Sequence, residues 1–262
     1  MKRVTGLGGF FFKSEEPQKL REWYRDHLGF AITDWGATFI WGDMDKDKKS
    51  PSRTEWSPFK ADTTYFEPSD QPYMINYRVH DLEKLLAELR KENVEIAGDI
   101  ESLPFGKFGW ILDPEKRKIE LWEPIEDQFG DAPVVWNEKV TGIGGIFFKS
   151  DDPAKLKEWY AKHLGIGDTT FQWNDLNTPD AKVAAQTVWA PFKNDTTYFS
   201  PGNKPYMVNY RVKDLVALLK SLQLQGVQQV GNVDEASYGK FGWIMDPEGN
   251  KIELWEPKDD GF

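Results

Sequence analysis

Cysteine is absent from the 262 residues, which excludes disulfide frameworks, thiolate metal sites and a cysteine nucleophile. Histidine is scarce, at His27, His80 and His163 only, so a triad of two histidines and a carboxylate has little to be built from. Basic residues are outnumbered, 33 lysines and arginines against 43 acids, for a net charge of −10. Such a surface repels phosphate backbones and anionic lipids, so no nucleic acid and no membrane partner is expected. No apolar run reaches the roughly 18 to 20 residues of a membrane span, and Met1-Lys2-Arg3-Val4 leads into glycines and a strand-like segment in place of a secretory core. The expectation is a soluble, cytoplasmic protein. A Gly-x-Ser-x-Gly elbow is missing, and the run Gly6-Leu7-Gly8-Gly9 lacks the Lys-Ser/Thr ending of a phosphate loop. Aromatic residues are abundant instead, 15% of the chain with 12 tryptophans, ample material for packed cores and for small-molecule sites.

The chain is one unit written twice. Thr5-Gly6-Leu7-Gly8-Gly9-Phe10-Phe11-Phe12-Lys13-Ser14 returns as Thr141-Gly142-Ile143-Gly144-Gly145-Ile146-Phe147-Phe148-Lys149-Ser150, Asp62-Thr63-Thr64-Tyr65-Phe66 returns from Asp195 to Phe199, and Lys118-Ile119-Glu120-Leu121-Trp122-Glu123-Pro124 returns unchanged from Lys251 to Pro257. So long a period fits tandem domains better than a solenoid. We expect a first domain over 1–124, a linker over 125–139 and a second domain over 140–262, with the length difference between the copies in the charged stretch from Asp43 to Ser50.

Within one copy the order of elements is readable. Residues 4–13 alternate as a strand. Pro17 suits the first turn of a helix, with Glu16, or Asp152 in the copy, as its cap; Leu20, Trp23, Tyr24, His27 and Leu28 follow at helical spacing and Gly29 ends it. Strand-like pieces lie near 30–34, 37–41 and 53–66, then at 73–79. Asp81 caps a helix with Leu82, Leu85, Leu86 and Leu89 on one stripe. Short strands near Val94 and at 107–112 lead through the Asp113-Pro114-Glu115 turn to the closing strand. Each copy therefore reads β-α-β-β-β twice, an α+β chain.

This doubled order, with Pro-x-x-Leu-x-x-Trp-Tyr-x-x-His-Leu-Gly and the closing Ile-Glu-Leu strand, resembles the vicinal oxygen chelate superfamily of glyoxalase I, bleomycin resistance proteins and extradiol dioxygenases. The resemblance implies four βαβββ modules forming two tandem glyoxalase-like domains with half-open mixed β-barrels, and a monomer that is an intramolecular version of the family's common homodimer. Metal-using members draw ligands from four strands. By the resemblance, the last of these positions falls on Glu120 and Glu253, the first on Gly9 and Gly145, the middle one nearest Trp56 and Trp189, and the second-module one on Met74 and Met207. Glycine has no ligating atom and a thioether is a poor ligand in an oxygen and nitrogen site. The expectation is therefore no metal and no cofactor, with His27 and His163 packing or capping at their helix ends.

Strand alternation puts Met74, Asn76 and Arg78 toward the concave face, with Met207, Asn209 and Arg211 in the copy. Lys13 and Lys149 face the same way; the family's glyoxalases place a basic residue there for an anionic part of the substrate. With Trp56, Trp110, Trp122, Trp189, Trp243 and Trp255, each cleft is expected to be an apolar pocket with a few polar groups. Two functions follow: metal-free binding of a small hydrophobic or aromatic molecule, or a lyase, isomerase or dioxygenase-like enzyme with Glu120 and Glu253 as general base or residual metal ligand.

Overall fold

Two copies of β-α-β-β-β-α-β-β-β, read off the repeated strand and helix signals, form one open sheet. The computed structural model describes residues 3–42, 51–125, 139–167, 169–176 and 183–258. The expected linker over 125–139, its two end residues apart, and the charged stretch 43–50 lie outside the described residues. The first half contains β1 (Val4–Ser14), α1 (Pro17–Leu28), β2 (Ala37–Gly42), β3 (Pro51–Lys60), β4 (Tyr73–Val79), α2 (Leu82–Lys91), β5 (Glu101–Leu103), β6 (Gly106–Leu112) and β7 (Lys118–Pro124). The second contains β8 (Val140–Ser150), α3 (Pro153–Leu164), β9 (Thr170–Asp175), β10 (Val183–Lys193), β11 (Tyr206–Val212), α4 (Leu215–Leu224), β12 (Gln229–Ala236), β13 (Gly239–Met245) and β14 (Lys251–Pro257).

The sheet runs β12-β13-β14-β11-β8-β10-β9-β2-β3-β1-β4-β7-β6-β5, and the halves join at its middle, where Gly42 pairs with Asn174. Three expected strands are shorter than their sequence suggests. The piece at 30–34 is a single bridge from Ile32 to Ala37, and that near Val94 a bridge from Ile96 to Ile111. The third, expected over 53–66, stops at Lys60, because the Thr63 hydroxyl accepts from Tyr65 N–H and the backbone folds into consecutive turns through Ser69. That ending lifts Tyr65 and Phe66 out of the sheet.

Helix ends follow the sequence signals with one exchange. Gly29 and Gly165 close α1 and α3 with left-handed φ of 69° and 70°. Asp152 caps α3 through Lys155 N–H at 3.1 Å, whereas Glu16 makes no side-chain cap. The entry to α1 is held by the opposite half: Glu248 accepts from Ser14 Oγ at 2.6 Å and from Glu16 N–H at 3.0 Å. Glu115 mirrors this at Ser150 Oγ and Asp151 N–H.

The helix-side faces of both halves share one core. Tyr24 on α1 lies 4.6 Å from Trp56 and 6.1 Å from Tyr210, and Phe10 meets Tyr206 at 5.2 Å. His27 and His163 sit at this junction, bonded to Gln225 and Glu92 of the opposite halves at 2.6 and 2.7 Å. The concave faces look away from the shared core and carry separate aromatic clusters. No helix among the described residues is long and apolar enough to cross a membrane.

Candidate functional site

Side chains of residues paired on adjacent strands share a face of the sheet. Gly9 on β1 pairs with Glu55 on β3 and with Asn76 on β4, and Asn76 pairs with Glu120 on β7. The concave row of the first half is therefore Glu55, Gly9, Asn76, Glu120. In the second half the same pairings give Val188, Gly145, Asn209 and Glu253. This register corrects two expectations. Phe10 pairs with Trp56, and Phe10 belongs to the shared core, so the Trp56 indole lies there too, 1% exposed among Tyr24, Phe30 and Phe12. Trp189 repeats this against Tyr160 and Phe148. Glu55 and Val188 take the concave positions instead. The second-module position in the row is Asn76 or Asn209, one pleat away from Met74 and Met207, which lie buried beneath the aromatic clusters of the concave face.

Glu120 is buried and accepts from three neutral donors: Asn76 Nδ2 at 2.6 Å, Trp110 Nε1 at 2.8 Å and the Tyr65 hydroxyl. Burial raises its pKa, with the bonds from Tyr65, Asn76 and Trp110 pulling it back down. Burial and the carboxylate also raise the Tyr65 pKa, so this phenol is a donor at neutral pH. Glu253 holds the same cage, with Asn209 Nδ2 and Trp243 Nε1 both at 2.7 Å and the Tyr198 hydroxyl. Tyr65 and Tyr198 escaped assignment from sequence; their signal was the repeated Asp-Thr-Thr-Tyr-Phe block, whose turn delivers the phenol over the sheet.

The other expected residues divide. Asn76, Trp122 and Trp56, the last with its ring in the core, border a first cavity of about 370 Å³, with Phe11, Trp35, Arg53, Glu55, Phe105 and Phe108. Asn209, Trp243, Glu253 and Trp255 border a second of about 490 Å³, with Phe147, Val188, Phe192, Tyr238 and Phe241. Each cavity is built within one half. Arg78 lies between Trp41 and Trp122, 5.7 and 5.9 Å from their rings, and donates to Ser52; Arg211 lies 5.5 and 5.2 Å from Trp173 and Trp255, near Asp175. These arginines brace tryptophans and do not border either cavity. Lys13 reaches Phe66, 5.9 Å away, at the far end of the concave face, and Lys149 is likewise outside the second cavity's lining.

The metal of the resembling enzymes does not fit these residues. Its four positions hold a glycine, a glutamate engaged by three donors, an asparagine whose Nδ2 is turned to that glutamate and whose Oδ1 has no hydrogen-bond partner, and either Glu55 or Val188. Glu55 is engaged by Thr38 at 2.8 Å and Arg53 at 3.0 Å. A side chain at Gly8, beside this row, would collide with Asn76 Oδ1 and come within 3.1 Å of Trp122. Among the described residues no three of His, Cys, Asp or Glu gather where an ion could be held.

No family model and no curated protein matches the sequence. Solved structures do. A catechol 2,3-dioxygenase matches with TM-score 0.62 and 15% identity over 100% of this chain and 91% of its own. A Mn(II)-bound glyoxalase from Novosphingobium aromaticivorans matches with TM-score 0.61 and 14% identity over 98% and 83%. Homoprotocatechuate 2,3-dioxygenase from Arthrobacter globiformis matches with TM-score 0.57 and 14% identity over 97% and 80%. Glyoxalases and extradiol dioxygenases share one architecture of paired βαβββ modules, and the likeness spans nearly all of this chain. The chain therefore has the fold that these glyoxalase and dioxygenase structures share.

Proposed function

We propose that the chain is a binding protein for planar, largely apolar small molecules, held in its aromatic clefts without a metal, in the manner the resemblance to bleomycin resistance proteins suggests. The observation that carries this is the concave row itself. Where a metal enzyme needs free donors, Gly9 offers none and Glu120 is engaged by Tyr65, Asn76 and Trp110. Beside that row lies space of about 370 Å³ walled by Phe11, Phe108 and Trp122, the size and lining of a small-molecule pocket. Ring stacking supplies affinity there, and Asn76 or Asn209 borders the cavity as a polar guide. The acidic, cysteine-free chain suits a cytoplasmic small-molecule binder that works as a monomeric pseudo-dimer.

Thermal unfolding with acridine or with Mn(II) tests this. Acridine should raise the midpoint saturably, by about 2.7 kcal/mol of stabilisation at a hundredfold excess over its dissociation constant, and equimolar Mn(II) should leave it unchanged. Stabilisation by Mn(II) together with indifference to acridine would overturn the proposal.

One observation favours an enzymatic second reading. Glu253 borders the second cavity, whereas Glu120 is not in the lining of the first. A general base in the second cleft alone would then make Glu253→Gln abolish turnover of a substrate while Glu120→Gln spares it.

A further inference from the structure

The polar atoms that border the second cavity are mostly of one kind. Three donors of its wall are spent on Glu253: Asn209 Nδ2, Trp243 Nε1 and the Tyr198 hydroxyl. Trp255 Nε1 is spent on Tyr238 O at 3.2 Å. Acceptors remain. A carboxylate has about four lone-pair sites, so Glu253 keeps one free after its three bonds. Asn209 is 2% exposed, and its Oδ1 has no hydrogen-bond partner. Asp234, exposed on the edge strand β12, borders the same cavity, and its carboxylate makes no hydrogen bond or ion pair among the described residues. The Gln186 amide and the Tyr238 phenol serve either way.

Charge points the same way. Among the described residues the lining holds two acids, Asp234 and Glu253, and no lysine or arginine. Two cations touch rings of this wall from outside the lining, and both are engaged. Lys251 donates to Tyr198 O at 2.7 Å, with its ammonium 5.3 Å from both the Tyr198 and the Trp243 ring, and Arg211, beside Trp255, lies near Asp175. Lys240 and Lys258 answer Glu256 and Glu235 at 2.9 and 3.7 Å. Setting Lys251 against the two acids leaves one negative charge for a ligand to balance. The mouth is plainer than that of the first cleft. The turn from Ala31 to Gly36, which carries Trp35, is matched in the second half by Gly167 and Asp168 alone, so the main length difference between the copies is at this step and not in the stretch from Asp43 to Ser50. No indole stands there, and the Tyr238 ring, 52% exposed, is free to be covered by a ligand.

Resting on the binding function proposed above, we infer that the second cleft takes a protonated aromatic amine. An ammonium group is all donor, with three N–H bonds to give and none to accept, and Asn209 Oδ1, Glu253 and Asp234 are the acceptors left for it. Phe147, Tyr238, Phe241 and Trp255 wall the same cavity. Their ring faces carry the negative side of the aromatic quadrupole, so they attract the charge as well as the ring that bears it. An anion would meet two carboxylates there, and a neutral ring would leave the free acceptors without donors.

Calorimetric titration of the intact chain at neutral pH tests this with tryptamine, which is protonated there, and tryptophol, in which a hydroxyl replaces the ammonium on the same ring and chain. Tryptamine should bind roughly 10-fold more tightly, the worth of a hydrogen bond to a charged group. Its advantage should shrink as salt rises from about 0.01 M to about 1 M, where the screening length falls from roughly 30 to 3 Å. Asp234→Asn, at an exposed position that does not endanger folding, should cut the advantage by roughly 2- to 5-fold. Glu101 occupies the corresponding place on β5, opposite Phe108 as Asp234 is opposite Phe241, and lies outside both linings; Glu101→Gln should leave the advantage unchanged. Tryptamine bound no more tightly than tryptophol, or an advantage that Asp234→Asn leaves intact, would overturn this inference alone so long as acridine still binds saturably. Failure of acridine, tryptamine and tryptophol alike to bind would remove the binding function and this inference together.

Discussion

Glu120 accepts from the Trp110 indole, which can only donate, and from the Asn76 amide and the Tyr65 phenol, which can also accept. Glu120→Gln would turn an amide N–H₂ toward one of those donors and leave it buried without an acceptor, at a cost of about 1 to 3 kcal/mol. The expected result is a lower urea midpoint with an unchanged slope. The pH dependence has a definite sign. Burial raises the Glu120 carboxyl above its ordinary 4.5; between that value and its folded pKa the native state binds the extra proton, so stability falls as pH rises through the window. Glu55, Asp113 and Asp246 are shifted the same way by burial, so Glu120→Gln should flatten the fall and not abolish it. An unaltered profile would show that Glu120 is ionised on both sides of the window. The inward direction of Glu120 was legible because Ile119 and Leu121 flank it in simple alternation. The burial of Trp56 was not. The resemblance puts it nearest a cleft position, but β1 carries register shifts between Val4 and Gly6 and between Leu7 and Gly9, so parity does not carry across the strand.

Among the elements, the turn before each closing strand does two jobs, and only one could be read from sequence. Asp113-Pro114-Glu115 and Asp246-Pro247-Glu248 announce a turn by composition. That Glu115 and Glu248 reach across to the first helix of the opposite half depends on how the halves dock, which no local pattern carries. Each takes backbone N–H groups that α1 or α3 leaves unpaired at its start, and its charge favours the positive end of the helix. Glu248→Ala should cost about 0.5 to 2 kcal/mol, as loss of an N-cap does. Glu115→Ala adds to the lost cap the loss of its 2.6 Å ion pair with the buried Arg117. Urea unfolding of the two single variants measures both, and an unchanged stability in Glu248→Ala would show that the exchange is not acting as a cap.

For the whole molecule, the docking of the halves was implied by the resemblance, and Trp56 and Trp189, expected in the clefts, have their rings in the core the halves share. The largest buried rings lie between the halves. Tyr24 and Phe30 of the first half lie 6.1 and 5.2 Å from the Tyr210 ring of the second. Tyr160 and Phe171 of the second half stand in the same relation to Tyr77 of the first, 6.2 and 6.1 Å from its ring. Neither half can therefore open without exposing apolar surface of the other, which makes the described core one cooperative unit despite the sequence being written in two parts. Trp56→Ala removes a ring from that unit and should cost about 3 to 5 kcal/mol. Because the ring is on the far side of the sheet from Glu55, acridine binding in the native state should persist. Unfolding should remain a single transition at lower denaturant, coincident by tryptophan fluorescence and by far-ultraviolet circular dichroism. Two separated transitions, with only the first moved by Trp56→Ala, would mean that the halves hold their structure independently and that the rings between them are contacts of convenience.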